Sequence, residues 1–307
     1  MILVAGIRSE SPVELVLGEI ARTGHEVLVF GQRDVAAWDL AYGVDESGGV
    51  TGLVRTGRRH VPLDQITGVY LRVMSDTLLP EIARLAPDDP ARLHSAQVHA
   101  DLVGWSDVAT ARVVNRPRAQ ASNGSKAFQA QLIARHGFGV PTSLVTNDPD
   151  LVRDFLATHE RVVYKSVSGV RSIVTTVGPD DLARLERVRA CPVQFQAYVP
   201  GVDVRVHVVG DRVFATRVDS VATDYRYAAQ QVDVPAQLSE TTLPDDLAAR
   251  CVALAADLEL GFAGIDLKLD GDDVSCFEVN PSPGFSYFEA HTGQPIAAAV
   301  AAYLAGE

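Results

Sequence analysis

Two short segments near the end of the chain hold the residue types best suited to chemistry. They are Gly264-Ile265-Asp266-Leu267-Lys268 and Phe277-Glu278-Val279-Asn280-Pro281. Side chains on a strand alternate between faces, so Asp266 shares a face with Lys268, and Glu278 with Asn280. A hairpin with a three-residue loop at Gly271–Asp273 would set Asp266 directly opposite Glu278. Two carboxylates and an amide oxygen then converge, an all-oxygen set suited to Mg2+. Facing like charges destabilise a sheet unless a cation lies between them. A solvated sheet face accounts for Asp270, Asp272 and Asp273. It accounts poorly for Glu278–Pro281, which apolar residues surround.

A second candidate runs from Gln194 to Gly210. Gln196-Ala197-Tyr198-Val199-Pro200-Gly201-Val202-Asp203 precedes Arg205. A strand that stops at Pro200-Gly201 leaves backbone groups free to pair with the edge of a planar base. Asp203 lies where a carboxylate could accept from ribose hydroxyls, and Arg205 falls on the same strand face. A plain hairpin with surface Asp and Arg fits this segment equally well.

The lysines form a third signal. Of 27 basic residues, only Lys126, Lys165 and Lys268 are lysines. Lys is a compact point charge where Arg is a planar fork, and the two are not interchangeable around phosphates. Lys165 leads into Ser166-Val167-Ser168-Gly169-Val170-Arg171-Ser172, a loop whose small residues and N–H groups suit a phosphate cradle. Lys126 opens a helix after Ser122-Asn123-Gly124-Ser125, where an anion is favoured. An exposed turn and an exposed helix start are the plainer alternatives. The sequence has neither G-x-x-x-x-G-K-[ST] nor a G-x-G-x-x-G after a strand.

These residues need a scaffold, and 307 residues can build two or three packed units. Met1–Ala5, Glu26–Phe30, Ile66–Leu71 and Arg112–Asn115 read as strands, with helices after Ser11 and near Ala91–Val103, giving an open α/β unit. Ser11-Pro12-Val13-Glu14 reads as a capping box, 43–58 as a loop or hairpin, and Asn115–Arg118 as a linker. A helix Ser125–His136 follows. Arg161–Lys165 and Ser172–Val177 form a hairpin around Ser168-Gly169, and Asp180–Arg189 is a helix. Strands are expected at 193–197, 203–209, 212–219, 263–269 and 274–279. A helix Asp245–Glu259 buries Leu247, Cys251, Leu254 and Leu258, and 295–304 packs as a terminal helix. The expected units are 1–115 (α/β), 116–191 and 192–307 (both α+β).

Composition excludes some functions. The net charge of −12 argues against a nucleic-acid partner. Cys191, Cys251 and Cys276 have no metal-ligand spacing and read as buried small hydrophobes of a reducing compartment. The first apolar run ends at Glu10, too early for a signal peptide, and 295–304 is too short to span a bilayer. A cytoplasmic protein without a membrane partner is expected.

Taken in order, Lys126, Lys165, Gln196-x-x-Val199-x-Gly201-x-Asp203, Arg205, Asp266 and Glu278-Val279-Asn280-Pro281 resemble the ATP-grasp superfamily. The resemblance covers residues 1–305, including the α/β unit in front. Within that superfamily the chain is similar to RimK-like glutamate ligases, and closer to the microviridin-type peptide ligases, or graspetide synthetases, above all over Phe195–Ser220. The resemblance implies an ATP-grasp fold behind a pre-ATP-grasp domain. It implies that Lys126 and Lys165, with the Ser168-Gly169 loop, bind the phosphates of ATP. Gln196 and Val199 would meet adenine and Asp203 the ribose, while Asp266, Glu278 and Asn280 would hold two Mg2+ ions. Arg205 would face the transferred phosphoryl group, and Arg226 would help hold an acyl phosphate. The hairpin 165–177 would act as a lid. The implied reaction joins a carboxylate to an amine or hydroxyl of a peptide or amino acid, and relatives often pair as homodimers. Two departures stand out. The lid lacks a rich glycine run, and Ser282-Pro283-Gly284-Phe285-Ser286-Tyr287-Phe288 differs from the peptide ligases, which leaves the acceptor open. Lys268 has no assigned role. A ligase of small amino acids, a small-molecule kinase and a non-catalytic nucleotide-binding module use the same nucleotide groups.

Overall fold

The computed structural model describes residues 1–166, 173–220 and 233–307. Strand β1 (Ile2–Gly6) is buried along its whole length. It pairs in parallel with β2 (Val27–Gly31). The segment expected as a loop or hairpin is a three-stranded antiparallel sheet of β3 (Trp38–Val44), β4 (Val50–Thr56) and β5 (Arg59–Pro62). Strands β6 (Gly68–Arg72) and β7 (Arg112–Val114) complete the parallel sheet in the order β2-β1-β6-β7. Continuous apolar runs suit it because parallel strands are covered on both faces. Helix Pro90–Val108 lies over one face, with Val98, Leu102 and Trp105 in that core. The helix Ser11–Thr23 and the helix Ile296–Ala305 close the other, joining Ile2, Val4, Val13 and Ile20 to Ile296, Val300 and Leu304. The approach is close: a Cβ on Gly68 would lie 2.3 Å from the Leu304 carbonyl.

The expected capping box is absent. Glu10 occupies the N-cap position without a side-chain cap bond, and Ser11 is already helical. The Glu10 carboxylate is turned instead to Arg72.

The middle of the chain forms an antiparallel sheet, ordered β10-β9-β11-β8, from β8 (Ser143–Thr146), β9 (Val162–Ser166), β10 (Thr175–Thr176) and β11 (Val193–Ala197). Strands β9 and β10 pair as the expected hairpin, with Tyr164 opposite Thr175. Helix Pro149–Thr158, which the sequence reading missed, packs Val152 against Val162 and Phe195. The single helix expected at 180–189 is broken into an α-turn Pro179–Ala183 and a 3-10 segment Leu185–Ala190. Arg184 leaves helical geometry at the break, and its guanidinium bonds the Asp181 carboxylate at 2.6 Å.

The last sheet is antiparallel, ordered β14-β13-β12-β15-β16. Its strands are β12 (Val202–Val209), β13 (Arg212–Asp219), β14 (Gln237–Thr241), β15 (Phe262–Asp270) and β16 (Asp273–Asn280). One face carries Val204, Val206, Val208, Ile265, Leu267 and Val279 into a core closed by helix Asp245–Asp257. Leu247, Cys251, Leu254 and Leu258 are buried there as expected. Alternation leaves Asp203, Arg205, His207, Asp266 and Lys268 for the opposite face.

The stretch at 115–118 is not a linker. Asn115 is 2% exposed. Its amide donates to Phe262 O at 2.6 Å and to Pro281 O, and its oxygen accepts from Phe262 N at 3.1 Å. Cys191 is exposed rather than buried, while Cys251 and Cys276 are buried. Among the described residues, no helix is long and apolar enough to cross a membrane.

Candidate nucleotide and metal site

Asp266 and Glu278 are cross-strand partners, as the sequence predicts, but for a different reason. Asp270 pairs with Asp273, so the turn has two residues, not three. A regular ladder from that turn would set Asp266 opposite Phe277 and send Glu278 into the core. The register instead slips between Asp266 and Leu267: Leu267 pairs with Cys276, and Asp266 with Glu278. Phe277 is the extra residue of a β-bulge, a device that re-aims the side chains after it. Cys276 and Val279 both point into the core, three positions apart, and Glu278 is left on the polar face.

Each carboxylate has a cation. Arg205, opposite Asp266 on β12, donates from Nη1 to Asp266 Oδ1 at 2.7 Å. Lys126, the first residue of helix Lys126–Arg135, pairs through Nζ with Glu278 Oε1 and donates to Asn123 Oδ1 at 2.8 Å. Ser125 caps that helix, accepting from Phe128 N at 3.4 Å. The helix is fixed to β16 by Gln129, whose amide bonds both backbone groups of Val279. Burial alone would raise the Glu278 pKa. Lys126, then Lys165 and Arg205, outweigh it and hold the carboxyl below its ordinary value.

A cleft opens between the middle and last sheets. Lys165 and Gln196 line it from one side; Asp203, Asp266, Lys268 and Glu278 line it from the other. Tyr198 and Val199 form the joint. The Tyr198 N–H bonds Arg161 O at 2.9 Å, and beyond it Val199 belongs to neither sheet. Apolar Val163, Val174 and Phe277 complete the walls. Gln196 is buried, and its amide donates to Ser143 Oγ at 3.2 Å. Asn280 ends β16, opposite Gly264, and its Oδ1 accepts from Ser282 N at 2.9 Å.

Eight of the expected site residues, Lys126, Lys165, Gln196, Val199, Asp203, Arg205, Asp266 and Glu278, thus lie in or against one cleft, and Asn280 follows Glu278 by two residues on the same strand. Ser168, Gly169 and Arg226 lie outside the described residues. Among the described residues, no group of three or more His, Cys, Asp or Glu side chains could hold a metal. The oxygen set here is two carboxylates and an amide, which fits Mg2+ in ligand type.

Three features escaped the sequence reading. Lys268 lies opposite Asp203, with Nζ 3.4 Å from Asp203 Oδ2 and 5.3 Å from the Tyr198 ring centre. The Arg161 guanidinium covers the same ring at 3.7 Å. Gly264 makes room for Arg205, since a Cβ there would lie 2.1 Å from Nη2. A glycine inside a strand was the available signal of such an approach.

The RimK-like ATP-grasp domain model matches residues 122–304. A protein of Photobacterium profundum named "Probable alpha-L-glutamate ligase" is 28% identical over 201 residues, covering 62% of this chain and 66% of that protein. The match therefore spans just under two thirds of that relative's length. The structure of the ATP-grasp ligase PsnB complexed with minimal precursor superposes with a TM-score of 0.78 at 29% identity, covering 99% of this chain and 97% of the other. The macrocyclase MdnC of Microcystis aeruginosa MRC, bound with precursor peptide MdnA, has a TM-score of 0.78 at 20% identity, covering 100% and 99%. That second likeness is one of fold.

Proposed function

Because the chain belongs to the RimK-like ATP-grasp family, we propose that it is an ATP-dependent ligase acting on a peptide carboxylate, with an amine or hydroxyl as acceptor. The observation that carries this reading is the Asp266–Glu278 pair facing a cleft that also presents Lys165 and Asp203. Likeness to PsnB, whose complex holds a precursor, supports a peptide over a free amino acid.

In this reading adenine lies against Val199 and the apolar walls, with Gln196 beside it, and Asp203 accepts from the ribose. Lys165 and the Ser168-Gly169 loop hold phosphates. Lys126 exchanges its partner Glu278 for a phosphate oxygen. Mg2+, as two ions held by Asp266, Glu278 and Asn280, would neutralise the phosphate charge. A substrate carboxylate oxygen attacks the γ-phosphorus and ADP departs with the bridging oxygen. The acceptor nitrogen or oxygen then attacks the acyl carbon, loses its proton and expels phosphate. Arg205 supplies a fixed positive charge beside the transferred group, and Arg226 a second fork for the acyl phosphate. We divide the chain into units at about 115 and 191, with β11 hydrogen-bonded to the middle unit. A cytoplasmic setting and pairing of two copies belong to the same proposal.

Hydroxylamine tests the reaction. With ATP, Mg2+ and a panel of carboxylate peptides, it should intercept the acyl phosphate as a hydroxamate. Phosphorylated alcohol without hydroxamate across the panel would replace the ligase with a kinase.

A further inference from the structure

We propose that His207 is a positioning residue for Arg205, holding the guanidinium in place when Asp266 turns to a metal ion. The inference rests on the ligase reading of Arg205.

His207 is fully buried, two residues after Arg205 on the same face of β12. Its ring lies in an aromatic box, 5.0 Å from the Phe288 ring and 6.1 Å from the Phe262 ring. Apolar residues would fill that box without leaving a polar atom unmatched. The polar contact of the imidazole is with Arg205: Nε2 accepts from Arg205 Nε at 3.5 Å. For Nε2 to accept, the proton must be on Nδ1. Nδ1 is buried and has no partner among the described residues. A neutral ring is fixed by its surroundings, since burial, then the Arg205 charge, pushes the pKa well below its ordinary value. The chain thus tolerates an unmatched buried donor to place one acceptor beneath Arg205.

That acceptor matters because the Asp266 anchor of Arg205 is shared. Nη1 bonds Asp266 Oδ1, and Asp266 is one of the proposed metal ligands. A cation drawing on Asp266 weakens its hold on the guanidinium. The Phe288 ring, 5.8 Å from Arg205 Cζ, and the space above Gly264 also constrain it. Neither has an acceptor to set the rotation of the guanidinium plane. His207 has one, and no charge with which to compete for the metal.

The test compares three variants in full-length protein. His207→Gln carries an oxygen near the position of Nε2; His207→Asn carries one near Nδ1, away from Arg205; His207→Phe fills the box and carries none. Hydroxamate formation, ATP affinity by calorimetry and Tm are measured for each, beside Arg205→Lys. The expected result is a fall in kcat of tenfold or more in the Phe and Asn variants, with ATP affinity within twofold of wild type. Gln restores kcat to within threefold, and the Phe variant melts no lower than wild type. Wild-type kcat in the Phe variant overturns the proposal. So does a loss of kcat that tracks Tm across all three variants, because that marks packing alone. Wild-type turnover in Arg205→Lys instead overturns the reading of Arg205 and leaves the ligase reaction to the hydroxamate assay.

Discussion

Glu278 is the residue on which the proposed metal site turns. It is mostly buried, yet three cations hold its carboxyl below the ordinary value, which suits the proposed role. Replacing it with Gln removes the charge and keeps the shape. ATP turnover in Glu278→Gln should fall about a hundredfold or more, while circular dichroism and Tm stay near wild type because Lys126 keeps Asn123. Turnover near wild type would refute the metal role. His207 gives a stability prediction of definite sign. The unfolded histidine takes up a proton near 6.5, whereas the buried ring stays neutral well below that value. The unfolded state then binds more protons below that pH. The His207 contribution is therefore constant above pH 6.5 and falls as pH drops through it, by up to about 1.4 kcal/mol per pH unit. Denaturant titrations from pH 7.5 to 5.5 should show a shallower loss in His207→Gln than in wild type, and parallel curves would show that the ring titrates normally.

At the scale of elements, the decisive device is the bulge in β16. It lets a two-residue turn coexist with a Glu278 that faces the cleft, and it leaves Phe277 in the cleft wall. In the proposed nucleotide site an aromatic ring there would cover a planar base. Phe277→Ala should weaken ATP binding by about tenfold, the scale of a partly buried aromatic contact. Calorimetry checks it, and unchanged affinity would place the base elsewhere. Four strands of the last sheet were legible because their alternation and apolar content are strong, and their observed ends fall within one residue of the expected ones; the edge strand β14 (Gln237–Thr241), half exposed and without such a run, was not. The bulge was not, since alternation assumes a regular ladder, and the same Asp266–Glu278 pairing follows from a three-residue loop. Helix Pro149–Thr158 carries its own signals, an Asp148 cap and Pro149, which the reading passed over. The capping box failed because Glu10 answers to Arg72, distant in sequence.

The whole molecule depends on contacts that short-range patterns do not reveal. The final helix closes the first sheet, and Asn115, which resembled part of a linker, ties the end of β7 to the start of β15 and to Pro281, just past β16. Its amide group is well matched to its surroundings. The nitrogen donates to Phe262 O and Pro281 O, and the oxygen accepts from Phe262 N. Asn115→Ala removes both ends at once and leaves buried backbone groups without these partners, a change that costs about 2–4 kcal/mol. Asn115→Asp is the sharper variant. It keeps the size and the acceptor for Phe262 N, but sets a carboxylate oxygen against two carbonyls. An apolar-packing role would make the alanine variant much the worse of the two. The hydrogen-bond role makes the aspartate variant at least as destabilised as alanine at pH 7, because repulsion replaces two bonds. Pro281 follows Asn280 directly, so both variants should also lower Mg2+-dependent turnover in molecules that remain folded. Equilibrium unfolding in urea and turnover at a temperature well below both midpoints separate the two effects. Full stability in Asn115→Asp would return 115–118 to the role of a linker.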